Sequence, residues 1–233
     1  MKNMKKLVLL FCAFLSVATV ISSCSDDSSD DNNTTTTTAA SVITIANLKS
    51  YVGQSNAQIS SSITSKGYTL TSTENPGNGL INYIYMSAQS LTGGKQCIIG
   101  EYNNVIYTAA FAEAGTSRST VLTSFTTLSN DAFSVYQNLT YNYMGNIMVN
   151  NNPLSFNTHN DFILAYNSSI AFENCSEMYS VDSDTEMSQA LISYMEISAK
   201  TTYSTLSAMY VNYNLTPASI NKSNIQEFIK SRF

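Results

Sequence analysis

Tryptophan is absent from this chain, and histidine occurs once, at His159. A histidine-assisted serine or cysteine nucleophile therefore has one residue to rely on. With a single histidine, no C-x-x-C and no clustered ligands, a zinc-type metal site is not expected, nor is any cofactor. The G-x-S-x-G, P-loop, G-x-G-x-x-G and H-E-x-x-H motifs are also missing. Charge is scarce: only 12% of residues are charged, and acids outnumber bases 16 to 11. That balance argues against nucleic acid as a partner and against electrostatic attraction to anionic lipid. Serine, threonine and asparagine are plentiful, so hydroxyls and amides must carry solubility.

The N-terminus is the most informative stretch. Lys2, Lys5 and Lys6 precede an apolar run from Leu7 to Ile21, which is followed by Ile21-Ser22-Ser23-Cys24. A basic start, a short apolar core and small residues before a cleavage point define an export signal. The run is shorter than the roughly 18 to 20 apolar residues that span a bilayer. An aliphatic residue, two small residues and a cysteine resemble the lipobox of bacterial lipoproteins. The resemblance covers about the first 31 residues and implies cleavage before Cys24, a diacylglyceryl thioether on its sulfur and an acylated amine. Ser25-Asp26-Asp27-Ser28-Ser29-Asp30-Asp31 looks like the acidic run that Bacteroidota-type lipoproteins carry as an address for the outer face of the outer membrane. A solvated spacer is the other reading of the same residues. The implied location is the outer membrane, on the cell surface or the periplasmic face, with the membrane as partner through Cys24. Cleavage after Ser23 removes three of the 11 bases and no acid, leaving 8 bases against 16 acids in 210 residues.

The expected organisation is a signal peptide at 1–23, an acidic and threonine-rich tether at 24–42, and one globular domain at 43–233. Five consecutive threonines, Thr34 to Thr38, bury nothing and suit a flexible spacer. Thr44 is placed to cap a short helix bearing Ile45, Leu48 and Val52, ended by Gly53. Ser55 to Gln58 has the spacing of a capping box for a second helix carrying Ile59 and Ile63. From Tyr68 the apolar period becomes two. Four strands are predicted to form an antiparallel meander through Glu113, with hairpins at Thr92-Gly93-Gly94-Lys95 and Asn103-Asn104. Ser117 opens a helix whose Val121, Leu122, Phe125, Leu128, Ala132, Val135 and Tyr136 form one apolar stripe. Strand character returns from Leu139 to Val149, a turn follows at Asn150 to Pro153, and Thr158 to Asp161 caps a short helix. Cys175 to Val181 reads as a strand. Asp182 to Glu186 is expected to start a further helix with Met187, Ala190, Leu191 and Tyr194 inward. Tyr203 to Tyr213 fits either helix or strand, and Ile220 to Ile229 reads as a terminal helix with Ile225, Phe228 and Ile229 apolar. The fold class is α+β, an antiparallel meander sheet packed by helices.

Chemistry is sparse. His159 falls in the first turn of its helix, where exposure is the ordinary outcome. Asp182, Asp184 and Glu186 alternate as in a calcium loop but lack its glycine and remaining oxygen ligands, so a helix cap is the better reading. Glu101, Glu113, Glu173 and Glu177 are the carboxylates available to a glycosidase pair. Tyr83, Tyr85, Tyr102, Tyr107, Tyr141 and Tyr143 fall in predicted strands, where ordinary sheet packing competes with a ligand-stacking surface. Cys97 and Cys175 are the only thiols of the mature domain besides Cys24. In an oxidising compartment they are expected to pair, stabilising the fold by about 3 to 4 kcal/mol, and two buried free cysteines are the alternative. The functional expectation is a lipid-anchored, non-enzymatic domain that binds a protein or glycan. A carboxylate-dependent glycan hydrolase and an inhibitor or immunity lipoprotein are the alternatives; the absence of tryptophan and of an acid/base motif weighs against the hydrolase.

Overall fold

A computed structural model describes residues 40–88, 93–168, 171–183, 185–198 and 202–217. The signal, the lipobox with Cys24, nearly all of the tether and the terminal helix expected at 220–229 lie outside them.

The chain enters through two short helices whose ends are set by side chains. Thr44 and Asn47 form a reciprocal cap on α1 (Ile45–Tyr51), and Ser55 and Gln58 do the same for α2 (Asn56–Thr64). Four strands then run as a meander: β1 (Tyr68–Gly77), β2 (Leu80–Ser87), β3 (Gly93–Tyr102) and β4 (Val105–Gly115). The long helix α3 (Arg118–Tyr136) follows, capped by Ser117. Next come β5 (Asn142–Val149), β6 (Asn152–Phe156), α4 (His159–Asn167), β7 (Asn174–Asp182), β8 (Met187–Ser198) and β9 (Thr202–Asn212), with a 3-10 turn at Tyr213–Leu215. Among the described residues no helix is long and apolar enough to cross a membrane.

All nine strands join one open antiparallel sheet in the order β1-β2-β3-β4-β9-β8-β7-β5-β6. The meander supplies four of its nine strands. Its fourth strand pairs with the last one, Thr108 opposite Val211 and Gly115 opposite Ser204, which fuses the two halves at the centre. Helices α1, α3 and α4 lie on one side: α1 and α3 against β4 and β9, α3 also against β8, and α4 against β5 and β6. Between helices and sheet sits the core, built from Ile45, Leu48, Phe125, Leu128, Phe162, Phe111, Tyr179 and Tyr194 among others.

Several expectations need correction. Gly93 and Gly94 are not a hairpin tip but the first residues of β3, opposite Gly115 and Ala114. A Cβ on Gly93 would come within 2.2 Å of the Ala114 carbonyl oxygen, so close backbone approach explains the glycine. Asn152 and Pro153, expected as part of a turn, begin the edge strand β6 (Asn152–Phe156), and with no strand on its outer side the edge tolerates Pro153, which has no N–H to donate. Met187 to Ser198 is a strand, not a helix. As an interior strand it is buried on both faces from Ser188 to Ile192, so no period-two pattern marks it and its apolar residues imitate a helical stripe. Tyr203 to Tyr213 resolves as β9 leading into the 3-10 turn.

The expected Cys97–Cys175 bridge is not present. Both thiols are buried and free. They stand on β3 and β7 with β4, β9 and β8 between them. Four strand spacings amount to roughly 19 Å, against the 4.4 to 6.8 Å between Cα atoms that a disulfide requires.

Candidate functional site

The lone histidine is not an exposed first-turn residue. Thr158 caps α4 by accepting from the Asp161 amide, which fixes His159 as the first helical residue. That placement turns the imidazole toward the sheet, where it is 5% exposed. Phe133 of α3 stacks on it at 4.5 Å, almost parallel. On the sheet side, Cys175, Glu177 and Tyr179 alternate along β7 and face the helices. Their register partners on β5 are Ile147, Gly145 and Tyr143.

These residues form a buried polar cluster. Glu177, with no exposure at all, receives Tyr143 Oη at 2.8 Å and Tyr179 Oη at 3.0 Å on the same oxygen, Oε1. His159 Nδ1 lies 2.8 Å from that oxygen and 2.8 Å from Tyr179 Oη. Because Tyr179 donates to the carboxylate, its oxygen is left to accept, and the network assigns the proton to Nδ1. Burial first, then the adjacent Glu177 charge, pushes both phenols far above their ordinary range and keeps them as donors. The second oxygen, Glu177 Oε2, is buried without a hydrogen-bond partner among the described residues. Gly145 makes the arrangement possible. A Cβ there would stand 2.6 Å from Tyr143 Oη and 2.8 Å from Phe162 Cδ2.

A carboxylate-oriented imidazole beside two phenols is acid/base apparatus in composition, but its setting is that of a core network. Phe133 covers the ring. Cys175, two residues before Glu177 on the same face, is pushed well above the ordinary thiol range by burial and then by the Glu177 charge, the reverse of an activated nucleophile.

The other sequence candidates are dispersed. Glu101 sits at the start of α2, accepting from the Asn56 amide at 2.8 Å and from Tyr83 Oη at 3.3 Å, so it complements the helix N-terminus. Glu113 is buried on β4, where desolvation raises its carboxyl above the ordinary range against the pull of Ser124 and Lys95. Glu173 is exposed. Glu186 does not cap a helix. Burial raises its pKa, but the Ser188 hydroxyl and the Lys49 ammonium, 3.4 Å away, outweigh that and hold it below the usual carboxylate range. Of the tyrosines singled out, Tyr85 and Tyr107 are buried, Tyr83 bonds Glu101, and Tyr143 belongs to the cluster; Tyr102 and Tyr141 are half-buried. Among the described residues no group of three or more His, Cys, Asp or Glu side chains is arranged to hold a metal.

Sequence reasoning missed the His159–Glu177–Tyr179 association. The spacing of Glu177 and Tyr179 does place them on one face of a strand, but nothing local links them to a helix start 18 residues earlier. No family model, curated protein or solved structure matches the chain.

Proposed function

We propose that the chain is a lipoprotein of the outer membrane, held through Cys24, whose domain is a non-enzymatic binding module for a protein or glycan. The observation that carries this reading is where the reactive and the sticky groups lie. The histidine and three of the four glutamates offered by the sequence, Glu101, Glu113 and Glu177, are no more than 5% exposed and bonded inward, while Glu173 stands apart from them at the surface. A hydrolase needs two carboxylates facing a substrate. Apolar side chains, by contrast, reach solvent at the β5–β6–α4 end: Leu164 is 72% exposed and Leu154 40%. Because α4 packs on β5 and β6, both belong to one end of the sheet. Exposed apolar side chains grouped at one end of a sheet suit a protein or glycan ligand.

The test uses the mature chain in detergent, assayed against an array of bacterial and host glycans and a panel of glycan substrates. Retention without turnover is expected, with binding weakened roughly tenfold or more in L154D/L164D, about 1.4 kcal/mol or more, while the melting temperature holds. Turnover that disappears in Glu173→Gln would replace this reading with a hydrolase. For the anchor, Cys24→Ser should shift the protein from the detergent phase to the soluble fraction, and unchanged partitioning would overturn it.

A further inference from the structure

The sheet is open, so it ends in two edge strands, β1 and β6. An edge presents backbone amides and carbonyls to any strand that can pair with them, and folds blunt such edges with short strands, proline, charge, bulges or a cover. The two edges of this sheet differ. β6 has only five residues, and Pro153 is the second of them. β1 is twice as long, and every residue from Thr69 to Pro76 is exposed, so the strand is uncovered. It carries one charge, Glu74, no lysine, and no proline before Pro76.

The blunting device it does have is a bulge at Thr71, where the register slips between Leu70 and Ser72. There the Thr71 hydroxyl donates to the Ile84 carbonyl at 3.0 Å. Beyond the bulge, Ser72, Thr73 and Glu74 pair in regular order with Ile84, Tyr83 and Asn82, so an extended run is left open on the outer side. Its surroundings are equally poor in charge. Helix α2 packs on β1 and β3 and contains no charged residue, and Ala57, Gln58, Ser61, Ser62 and Thr64 on it are exposed. Leu70 adds a large apolar side chain beside the edge, 44% exposed. Depletion of charge around exposed apolar surface is the composition of a protein interface.

We propose that β1 is a dimer edge and that its occupant is β1 of a second copy, paired antiparallel across a two-fold axis normal to the sheet. Symmetry and charge select that occupant. A two-fold rotation about such an axis turns a strand antiparallel to itself, so one patch serves both subunits, and it sets the two α2 helices on the same side of one continuous sheet. With the axis between Ser72 and Thr73, each of these hydroxyls faces a hydroxyl and Glu74 falls opposite Thr71 of the partner subunit, so no like charges are opposed. A head-to-tail contact of β1 on β6 would instead propagate into an open filament. The short length of β6 and Pro153 oppose it, and the assembly closes at two. This inference does not depend on the ligand-binding reading above, because β6 stands at the opposite edge of the sheet from β1.

The test measures sedimentation of the full mature chain carrying Cys24→Ser over a range of concentrations. A monomer–dimer equilibrium is expected. Thr73→Lys, at an exposed position, sets like charges near the axis and should weaken association by roughly tenfold or more while the circular dichroism spectrum holds. Thr73→Glu should do the same, and an equimolar mixture of the Lys and Glu variants should recover the dimer, which a loss of fold would not allow. A chain that sediments as a monomer at every concentration, or a dimer indifferent to both substitutions, would overturn the proposal. A second measurement mixes chains carrying Ser72→Cys with chains carrying Ser155→Cys on β6 and oxidises them. Cross-links between two Ser72→Cys chains are expected; cross-links joining position 72 to position 155 would reveal head-to-tail growth and equally overturn it.

Discussion

Glu177 concentrates the electrostatic problem of this molecule in one side chain. A fully buried carboxylate accepts from two phenols and lies against an imidazole on one oxygen while the other has no partner among the described residues. Removing it would leave these donors buried and unpaired, which costs more than any one of the bonds contributes. Glu177→Ala should therefore lower stability by roughly 3 to 5 kcal/mol, and Tyr143→Phe by about 1 kcal/mol. Urea denaturation checks both, and a Glu177→Ala loss below about 1 kcal/mol would mean that the cluster is hydrated and weak. Glu113 should behave oppositely. Burial raises its folded-state pKa above the unfolded value. The stability linked to it is then fully present below the ordinary carboxylate pKa and is lost as pH rises through the raised one. Above the raised value the buried charge opposes folding, so Glu113→Gln should stabilise there by about 1 kcal/mol, and the gain should shrink as the pH is lowered. A gain that is the same at acid and neutral pH would remove burial of charge as its cause.

At the level of elements, β5 and α4 meet at close tolerance. Gly145 opposes Glu177, and its missing Cβ leaves room for Tyr143 Oη and the Phe162 ring. Gly145→Ala should displace both and cost roughly 1 to 3 kcal/mol, the range of overpacked cores. Thr158→Ala, which removes the α4 cap, should cost about 1 kcal/mol and loosen His159 as well. Thermal melting separates the two only by size, so the His159 imidazole resonance is the better monitor, expected to broaden or shift in both. Caps and turns of this kind were legible in the sequence: Thr44, Ser55, Ser117 and Thr158 each stand where a helix begins. So were the hairpin asparagines, since Asn103, Asn104, Asn150 and Asn151 all have positive φ. What failed were elements whose surroundings suppress their period. β8 is buried on both faces, and β6 is a short edge strand with a proline.

On the scale of the whole molecule, the sheet is joined across its centre by Thr108 and Val211, 103 positions apart, and no local pattern encodes that pairing. The same pairing makes one continuous tyrosine-rich core. Of the 15 tyrosines, twelve are driven above the ordinary 10.0, in each case chiefly by burial, with Tyr107, Tyr194 and Tyr210 reaching about 12. The folded state holds these protons more tightly than the unfolded state, so their contribution is intact below pH 10 and is lost as pH rises through the raised values. Each such group removes about 1.4 kcal/mol of stability per pH unit in that window. Six of them, Tyr68, Tyr85, Tyr107, Tyr136, Tyr179 and Tyr194, are almost completely buried. Together these six remove about 8 kcal/mol per pH unit, comparable with the entire 5 to 15 kcal/mol of a typical domain. The protein should therefore keep its fold to about pH 10 and unfold within roughly one to two units above it. Tyrosinate absorbance and circular dichroism, titrated together, should change in a single coincident step. Ionisation of most tyrosines near 10 with the sheet signal intact would show that the phenols are solvated, and the tyrosine-rich core described above would have to be given up.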